Sequence, residues 1–207
     1  MLANVPDTLS TSQMLDAARA LGADVSSDDG MLTVQTPRLH TRALEQDITS
    51  GAVSSVLFLA PILARRRVAR LEIDYPASRL HTHLVALRDL GATVRVNNGV
   101  IDFEISPWER RAVTLLQTSV TATALCAMLA ASLGGETVIS NAASEPHVQD
   151  VLRLLAAMGA GVEGIGSNVL HVQGRPELAG AEARLIPDHI EAASVTALGA
   201  ITHGSIT

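Results

Sequence analysis

The sequence predicts an α/β (α+β) fold in which one βαβαββ unit is repeated in tandem around a pseudo-threefold axis. A Gly-Ala-x-Val tag recurs at Gly22, Gly91 and Gly159, at intervals of 69 and 68 residues. Each tag follows an amphipathic helical stretch and precedes two β-like segments separated by a polar turn. Such even self-similarity indicates a copied supersecondary unit, and its period is too long for a solenoid of helical hairpins.

The first unit illustrates the local pattern. Residues 10–21 have helical apolar spacing with Ser10 or Thr11 as N-cap, and Gly22 supplies the left-handed position that ends the helix. Two strands then pair across the turn 27–30, which ends in Asp-Gly. The predicted helices, each with its two strands, are 10–21 with 23–26 and 31–35, 78–90 with 92–97 and 100–105, and 145–158 with 161–165 and 168–173.

A second type of helix alternates with the amphipathic ones. It covers roughly 50–66, 119–133 and 189–203, is rich in small and β-branched residues, and carries almost no charge. Strands follow the first two, at 70–73 and 136–140. Because a helix without a polar face must be buried on most sides, we expect these helices inside and the sheets outside.

Composition and charge indicate a globular domain with an aliphatic core and argue against several kinds of partner. The 207-residue chain is 47% hydrophobic but only 2% aromatic, which predicts an aliphatic core. The net charge of −6 has no acidic or basic block, which argues against nucleic acid or an anionic membrane as partner. The longest apolar run, 53–64, is too short to cross a bilayer. The single cysteine, Cys126, excludes an internal disulfide and is typical of a cytoplasmic protein.

The ends of the chain do not coincide with the ends of the units. Asn4-Val5-Pro6 corresponds to Asn141-Ala142-Ala143 of the third unit, so the first unit lacks its opening strand and apolar helix. The pattern is that of a fragment, or a remnant, of something longer. We expect the closing strand and helix, near 182–203, to fold back and complete the first unit. If the helix points away instead, its exposed apolar face should drive self-association.

Several strings along the chain carry a family resemblance. They are 59–65, His83-Leu84, 116–123, Asn141-Ala142-Ala143-Ser144-Glu145-Pro146, Met158-Gly159-Ala160 and Ile186-Pro187-Asp188-His189-Ile190-Glu191. On these strings the chain resembles UDP-N-acetylglucosamine enolpyruvyl transferases (UDP-N-acetylglucosamine 1-carboxyvinyltransferases), within the EPSP synthase/enolpyruvyl transferase superfamily. The resemblance spans nearly the whole chain and about half of a full-length family member.

The resemblance implies an inside-out α/β barrel, two similar domains and a substrate cleft between them. Family members transfer the enolpyruvyl group of phosphoenolpyruvate to the 3-hydroxyl of UDP-N-acetylglucosamine and release phosphate, with no metal or organic cofactor. Residues 1–184 resemble the domain that carries the mobile catalytic loop, and residues 185–207 resemble the crossover into the second domain. The resemblance also implies a cytoplasmic protein of peptidoglycan and cell-wall synthesis.

The resemblance implies which residues of this chain bind substrate. Ser119-Val120-Thr121 opens an apolar helix and matches the stretch that holds the nucleotide diphosphate, where free N–H groups suit a phosphate. The alternative for this stretch is an ordinary serine N-cap. His83 matches a position near the nucleotide. Asp188 and Glu191 match acidic residues of the crossover, although such a pair is also common at a helix start.

The chain departs from the family pattern where cations and a thiol are expected. The family loop with Pro-Gly-Gly-Cys corresponds to a shorter stretch, 72–79, that has no cysteine. Ser78 stands at the position where family members have an arginine that binds phosphoenolpyruvate. Arg79, one position away, is the catalytic candidate in this chain. Gln117 replaces a lysine, and Val53 replaces a further arginine of the cleft.

Three other polar groups have structural interpretations. Cys126 lies mid-helix, where a thiol is a small buried hydrophobe with a raised pKa, so it cannot replace the missing cysteine. His81 and His83 are two positions apart on a helix and face different ways, which argues against a metal site. Glu145, before Pro146, is interpreted as a capping residue at a helix start.

Two classes of function follow from these observations. Loss of several cationic donors weakens a site for two anions severely, since each charged hydrogen bond contributes about 1.5–3 kcal/mol. The chain is therefore predicted either to be a diverged enolpyruvyl transferase that does not turn over by itself, or to be a non-catalytic nucleotide-sugar-binding or scaffold protein. A second enzyme, 3-phosphoshikimate 1-carboxyvinyltransferase, shares the fold and needs no cysteine, but the strings 141–146 and 187–191 favour the nucleotide-sugar branch.

Overall fold

The computed structural model describes residues 1–46 and 53–205. Two short 3-10 helices, Val53–Phe58 and Ala77–Leu80, precede the second and third α-helices. The α-helices are α1 Leu9–Ala20, α2 Leu59–Arg66, α3 His81–Asp89, α4 Val120–Leu133, α5 Pro146–Ala157 and α6 His189–Thr202. The strands are β1 Leu2–Ala3, β2 Asp24–Asp28, β3 Met31–Gln35, β4 Ala43–Leu44, β5 Val68–Glu72, β6 Thr93–Asn97, β7 Val100–Glu104, β8 Trp108–Thr114, β9 Gly134–Ser140, β10 Gly161–Glu163, β11 Val169–Gln173 and β12 Ala183–Arg184.

Three four-stranded sheets repeat one topology, in agreement with the predicted βαβαββ unit. Two of them have the orders β4-β5-β7-β6 and β8-β9-β11-β10. In each, the first two strands are parallel and the others antiparallel. An apolar helix, α2 or α4, connects the parallel strands, and an amphipathic helix, α3 or α5, leads to the outer hairpin. The third sheet has the order β12-β1-β3-β2.

The turns follow the chemistry that the sequence indicates. The tag glycines Gly22, Gly91 and Gly159 have φ of 104°, 88° and 106°, as the left-handed end of a helix requires. At the hairpin tips, Asp29-Gly30 has φ of 46° and 73°, and Asn98-Gly99 has φ of 42° and 79°. Two consecutive positive φ values define the tight turn that matches strand twist, which Asn-Gly and Asp-Gly favour.

The apolar helices of the second and third units lie inside, as predicted. Ten of the fourteen residues of α4 are buried, on all sides of the helix, and α4 packs against α2, α3, α5 and strand β9. Helix α2 is shorter than the predicted helix 50–66, because Val53–Phe58 is a 3-10 helix. Pro61 lies in the first turn of α2, where its missing N–H is not needed. Residues 50–52 of that prediction lie outside the described residues.

The C-terminal part of the chain supplies the strand that the first unit lacks. Strand β12 pairs in parallel with β1, with Leu2 opposite Ala183. The amino group of Met1 donates to the carbonyl oxygen of Ala181 at 2.8 Å, and Asn4 Nδ2 donates to the carbonyl oxygen of Leu185 at 2.9 Å. The expected fold-back is therefore correct for the strand.

Helix α6 does not fold back, so the expectation that this third apolar helix packs inside its own domain is wrong. None of its described residues is buried. The physical reason lies in the connector: the N–H of Leu185 bonds the carbonyl oxygen of Ala3 at 3.0 Å, and the N–H of Ile186 bonds Asp150 Oδ2 at 3.1 Å. These bonds fix the direction in which the chain leaves the sheet. Within the described ranges, no helix is long and apolar enough to span a membrane.

Candidate functional site

The first turn of α4 is a partly unpaired row of N–H groups. Ser119 is the N-cap, and its Oγ accepts a hydrogen bond from the N–H of Ala122 at 3.3 Å. The N-cap interpretation of Ser119 is therefore correct, and it uses only one donor. The N–H groups of Val120 and Thr121 have no acceptor within the helix, as at every helix start, and the positive end of the helix dipole lies there. This turn can therefore still bind an anion.

Helix α3 brings His83 onto the same turn. His83 Nε2 lies 2.7 Å from Thr121 Oγ1, so two predicted binding residues from different units are in direct contact. The His83 side chain is 4% exposed, and this burial lowers its pKa below the ordinary value. The imidazole is therefore neutral at pH 7. Its Nδ1 has no hydrogen-bond partner among the residues that the structure describes.

A buried threonine that the sequence analysis missed supports this turn. Thr123 Oγ1 donates to the carbonyl oxygen of Ser119 at 2.7 Å and accepts from the N–H of Ala143 at 2.9 Å. Nearby, Thr118 Oγ1 donates to Asn141 Oδ1 at 2.9 Å. These bonds attach the loop before α5 to the start of α4. The available signal for Thr123 was a hydroxyl side chain one turn after the N-cap of a helix without charged residues.

The catalytic candidate Arg79 lies in the 3-10 helix just before α3. Its guanidinium carbon lies 5.1 Å from the centre of the Tyr75 ring, which is a cation–π contact. The Tyr75 hydroxyl is buried without a partner among the described residues, and burial raises the pKa of Tyr75. Arg79 thus remains a solvent-exposed cation that rests on an aromatic face. Spacing in the sequence gave no reason to pair these two residues.

Asp188 and Glu191 open the exposed helix α6. Asp188 Oδ1 accepts from the N–H of Ile190 at 2.9 Å and from the N–H of Glu191 at 3.2 Å. The bonds from Glu191 and then Ile190 lower the pKa of Asp188. The ring of His189 stacks on His147 with centroids 5.4 Å apart, which joins the start of α6 to the start of α5. Asp188 therefore acts as the N-cap of α6.

Glu145 is the N-cap residue of α5, as the sequence predicts. Its side chain, however, caps no N–H group. The Glu145 carbonyl oxygen accepts from the N–H groups of Val148 and Gln149, at 2.9 and 3.1 Å, so the backbone and not the side chain makes the cap. Its Oε2 is buried without a hydrogen-bond partner in the described part of the chain.

The remaining predictions concern the thiol of Cys126, the histidines His81 and His83, and the positions at which family members have cationic residues. Cys126 is fully buried in α4, as predicted, and burial raises its pKa to about 12. His81 is exposed whereas His83 is buried, so the two rings do not share a face. In the ranges 1–46 and 53–205, no three His, Cys, Asp or Glu side chains are placed to hold a metal. Ser78 and Gln117 are exposed, and the side chain of Val53 lies outside the described part.

The burial of His83 predicts a loss of stability in acid. Because the folded-state pKa is lowered, the unfolded chain binds the proton more readily than the folded one. Stability should be fully present above the ordinary pKa of about 6.5 and should fall as the pH drops from there towards the lowered folded pKa, by at most about 1.4 kcal/mol per pH unit.

Urea unfolding between pH 8 and pH 5 measures this effect. We expect His83→Gln to remove part of the acid-side loss, whereas His81→Gln, at an exposed position of the same helix, should leave it unchanged. Identical pH profiles for the wild type and His83→Gln would contradict the prediction.

The three-unit architecture is shared with solved enzymes. The enolpyruvyl transferase NikO from Streptomyces tendae matches with a TM-score of 0.77 and 25% identity, over 96% of this chain and 48% of that chain. An EPSP synthase from Acinetobacter baumannii matches with a TM-score of 0.66 and 17% identity, over 96% of this chain and 46% of that one. The fold is therefore the inside-out α/β fold of the enolpyruvyl transferases.

Sequence comparison gives the family. The EPSP synthase (3-phosphoshikimate 1-carboxyvinyltransferase) family model matches residues 2–207, and the chain belongs to this family. The UDP-N-acetylglucosamine 1-carboxyvinyltransferase of Treponema pallidum (strain Nichols) is 40% identical over 212 residues, and the enzyme of the same name from Treponema denticola is 35% identical over 211 residues. Both alignments cover all of this chain but 50% and 49% of the relatives, so the chain spans about half of their length.

Proposed function

We propose that this chain is a diverged UDP-N-acetylglucosamine enolpyruvyl transferase that retains a nucleotide-sugar diphosphate site and does not turn over by itself. The observation that carries the proposal is the arrangement at the first turn of α4. There, N–H groups without an acceptor in the helix lie beside the hydroxyl of Thr121, and the buried, neutral His83 contacts that hydroxyl. The names of the relatives supply the substrate class, since these proteins act on UDP-N-acetylglucosamine. Phosphoenolpyruvate is the proposed second substrate.

The binding chemistry follows from the hydrogen bond between Thr121 and His83. If the neutral imidazole donates its Nε2 proton to Thr121 Oγ1, the hydroxyl proton of Thr121 is free to donate to a phosphate oxygen. The N–H groups of Val120 and Thr121 add two more donors at the positive end of the helix. The site thus holds an anion by hydrogen bonds and a helix dipole, without a cationic side chain on α4.

The absence of turnover is proposed from the groups that transfer would need. Phosphoenolpyruvate brings a carboxylate and a phosphate, whereas Ser78 and Gln117 stand where the family has cations. Arg79, the proposed catalytic residue that is left, rests on Tyr75. Two missing charged hydrogen bonds, at about 1.5–3 kcal/mol each, correspond to a rate loss of several orders of magnitude.

The domain division and the cellular setting belong to the same proposal. Residues 1–184 would form the domain with the catalytic loop, and 185–207 would begin the crossover, where Asp188 and Glu191 face the second domain across the cleft. The resemblance to the peptidoglycan enzymes supports a place in the cytoplasm, at the first step of cell-wall precursor synthesis.

Calorimetric titration with UDP-N-acetylglucosamine tests the binding site. We expect measurable binding to the wild type and at least about tenfold weaker binding to Thr121→Val, which removes one hydrogen bond to a charged group. Thr93→Val, at an exposed position of β6, is the matched control and should bind like the wild type. Absence of heat for the wild type would contradict the proposal and favour a structural protein.

Two further measurements separate the alternatives. Competition with shikimate 3-phosphate should leave UDP-N-acetylglucosamine binding unchanged; displacement would favour the 3-phosphoshikimate 1-carboxyvinyltransferase branch of the family. A coupled assay for phosphate release, with both substrates present, should remain at the blank. Release above the blank would show that the chain is a competent transferase and would overturn the second half of the proposal.

A further inference from the structure

Two adjoining bays on the surface between the first and second units are rich in arginine. The first bay, of about 460 Å³, is formed by the loop after β3 and the end of α2, and its lining residues are Pro37, Arg38, Leu39, Arg65 and Arg66. The second bay, of about 420 Å³, shares Pro37 and Arg38 with the first and also includes Arg19 and His40. Together the two bays form the arginine surface, which is defined by Arg19, Arg38, Arg65 and Arg66.

Few carboxylates balance the charge of the arginine surface. Arg38, Arg65 and Arg66 form no ion pair with any Asp or Glu of residues 1–46 and 53–205. Arg19 pairs with Asp16 at 2.7 Å, and Asp24 also lines the second bay. The whole chain has a net charge of −6, so positive charge is concentrated here against the overall composition. Because neighbouring like charges repel, such a surface is stabilised by an anionic partner.

Two of the guanidinium groups are held in place before any partner binds. Arg65 Nη1 and Nη2 donate to the carbonyl oxygens of Thr36 and Pro37, at 2.6 and 3.0 Å. Arg66 Nη2 donates to the carbonyl oxygen of Leu39 at 2.7 Å. A guanidinium has five N–H donors, so most donors of both groups remain available. Because the side chains are already fixed against the loop, binding costs little side-chain entropy.

The fold itself does not require arginines at this place. The last turn of α2 contains Arg65 and Arg66, whereas the last turn of the equivalent helix α4 has no basic residue. Arg67 follows with φ of 66°, a left-handed position that favours glycine; the other non-glycine residues with positive φ in the described ranges, His203 apart, are Asn or Asp. The helix dipole favours a cation at a helix end, but it does not account for Arg38 on the loop.

We propose that the arginine surface is a docking surface for an acidic segment of a partner protein. The planar fork of a guanidinium binds a carboxylate through two parallel hydrogen bonds, which suits Asp and Glu side chains. Both bays are open to solvent, whereas a small-molecule site encloses most of its ligand. Two bays that meet at Arg38 therefore fit an extended chain, with carboxylates at Arg38 and Arg65 and hydrocarbon stems against Pro37.

The arginine surface lies away from the proposed diphosphate site. Helices α2 and α4 have the same place and direction in successive units, since each joins the first strand of its sheet to the parallel second strand. The end of α2 is therefore at the opposite end of the domain from the first turn of α4. The 14 residues of α4 correspond to a separation of about 21 Å. An acidic segment can dock there without competing with a nucleotide sugar.

Fluorescence anisotropy with a labelled oligoglutamate peptide tests the docking surface. We expect binding that weakens with added salt and is at least about tenfold weaker for Arg38→Glu. The Arg38 side chain makes no hydrogen bond or ion pair with the described residues, so the variant should fold, which circular dichroism checks. Arg88→Glu is the matched control, because Arg88 is exposed and follows Arg19 by one repeat of 69 residues. No binding to the wild type, or equal losses in the two variants, would overturn the proposal.

Competition experiments distinguish this surface from other anion sites. An oligoglutamine peptide of the same length should not bind, and inorganic phosphate should displace the oligoglutamate no better than chloride at equal ionic strength. Specific displacement by phosphate would indicate a small-anion site and would overturn a protein docking surface. Saturating UDP-N-acetylglucosamine should leave the peptide affinity unchanged; displacement would place the peptide at the first turn of α4 and would also overturn the proposal. Because peptide binding does not require the nucleotide sugar, this proposal and the proposed function can fail separately.

Discussion

Gly174→Ala is expected to be among the most damaging single-methyl additions in this protein. Gly174 follows β11, and its N–H bonds the carbonyl oxygen of Gly135 at 2.9 Å. A Cβ atom at this position would lie 2.0 Å from the carbonyl oxygen of Gly134 and 2.3 Å from that of Ala130. Both oxygens belong to the backbone at the end of α4, so no side chain can move aside. We expect a loss of about 3 kcal/mol or more.

Gly180→Ala is the matched control for this prediction. A Cβ at Gly180 would meet no atom within 4 Å, so the substitution should be neutral or slightly stabilising. Urea unfolding of both variants at one protein concentration measures the difference. If Gly174→Ala were as stable as Gly180→Ala, the close approach of β11 to the end of α4 would be contradicted.

Leu125→Ala is expected to cost about 2–5 kcal/mol of unfolding free energy. Leu125 is fully buried near the middle of α4, the helix that touches α2, α3, α5 and β9. Shortening its side chain leaves a cavity that cannot collapse easily, because the neighbours belong to several elements and each is held by its own contacts. Intrinsic helix propensity does not offset the loss, since alanine and leucine are both good helix formers.

Leu9→Ala provides the same chemical change on a surface. Leu9 lies in the first turn of α1 and is 76% exposed, so its truncation should change stability by less than about 0.5 kcal/mol. Thermal and urea unfolding of both variants measure the two costs. Equal effects of the two substitutions would show that α4 is not the packing centre.

Local sequence signals were enough to predict the repeating elements of the fold. Glycine in the tags and Asp-Gly or Asn-Gly at the tips encode positive φ values directly, and the structure has them at the predicted positions. The place of α6 could not be predicted in this way. Its composition predicts burial on most sides, whereas the structure leaves it exposed, because the connector bonds of Leu185 and Ile186 direct the chain away from the sheet. Those bonds join residues that are far apart in sequence.

In the candidate site, too, local features could be predicted from the sequence, whereas contacts between distant residues could not. The N-cap at Ser119 is a local pattern and could be predicted from the sequence. The contact of His83 with Thr121 depends on how α3 packs on α4; family resemblance, and not spacing, pointed to both residues. The stacking of Arg79 on Tyr75 and the burial of Glu145 Oε2 arise from tertiary packing. The spacing of residues in the sequence does not predict either of them.

The pairing of β1 with β12 has a consequence for the order of folding during synthesis. The amino group of Met1 contacts a carbonyl oxygen 180 residues later in the chain, so the sheet of β1, β2 and β3 precedes the other two sheets in sequence but is completed after them. The second and third sheets use only their own unit and can assemble while the ribosome is still elongating the chain. Until residue 184 has emerged, the edge of β1 that pairs with β12 stays open, and a chaperone or a neighbouring chain can attach there.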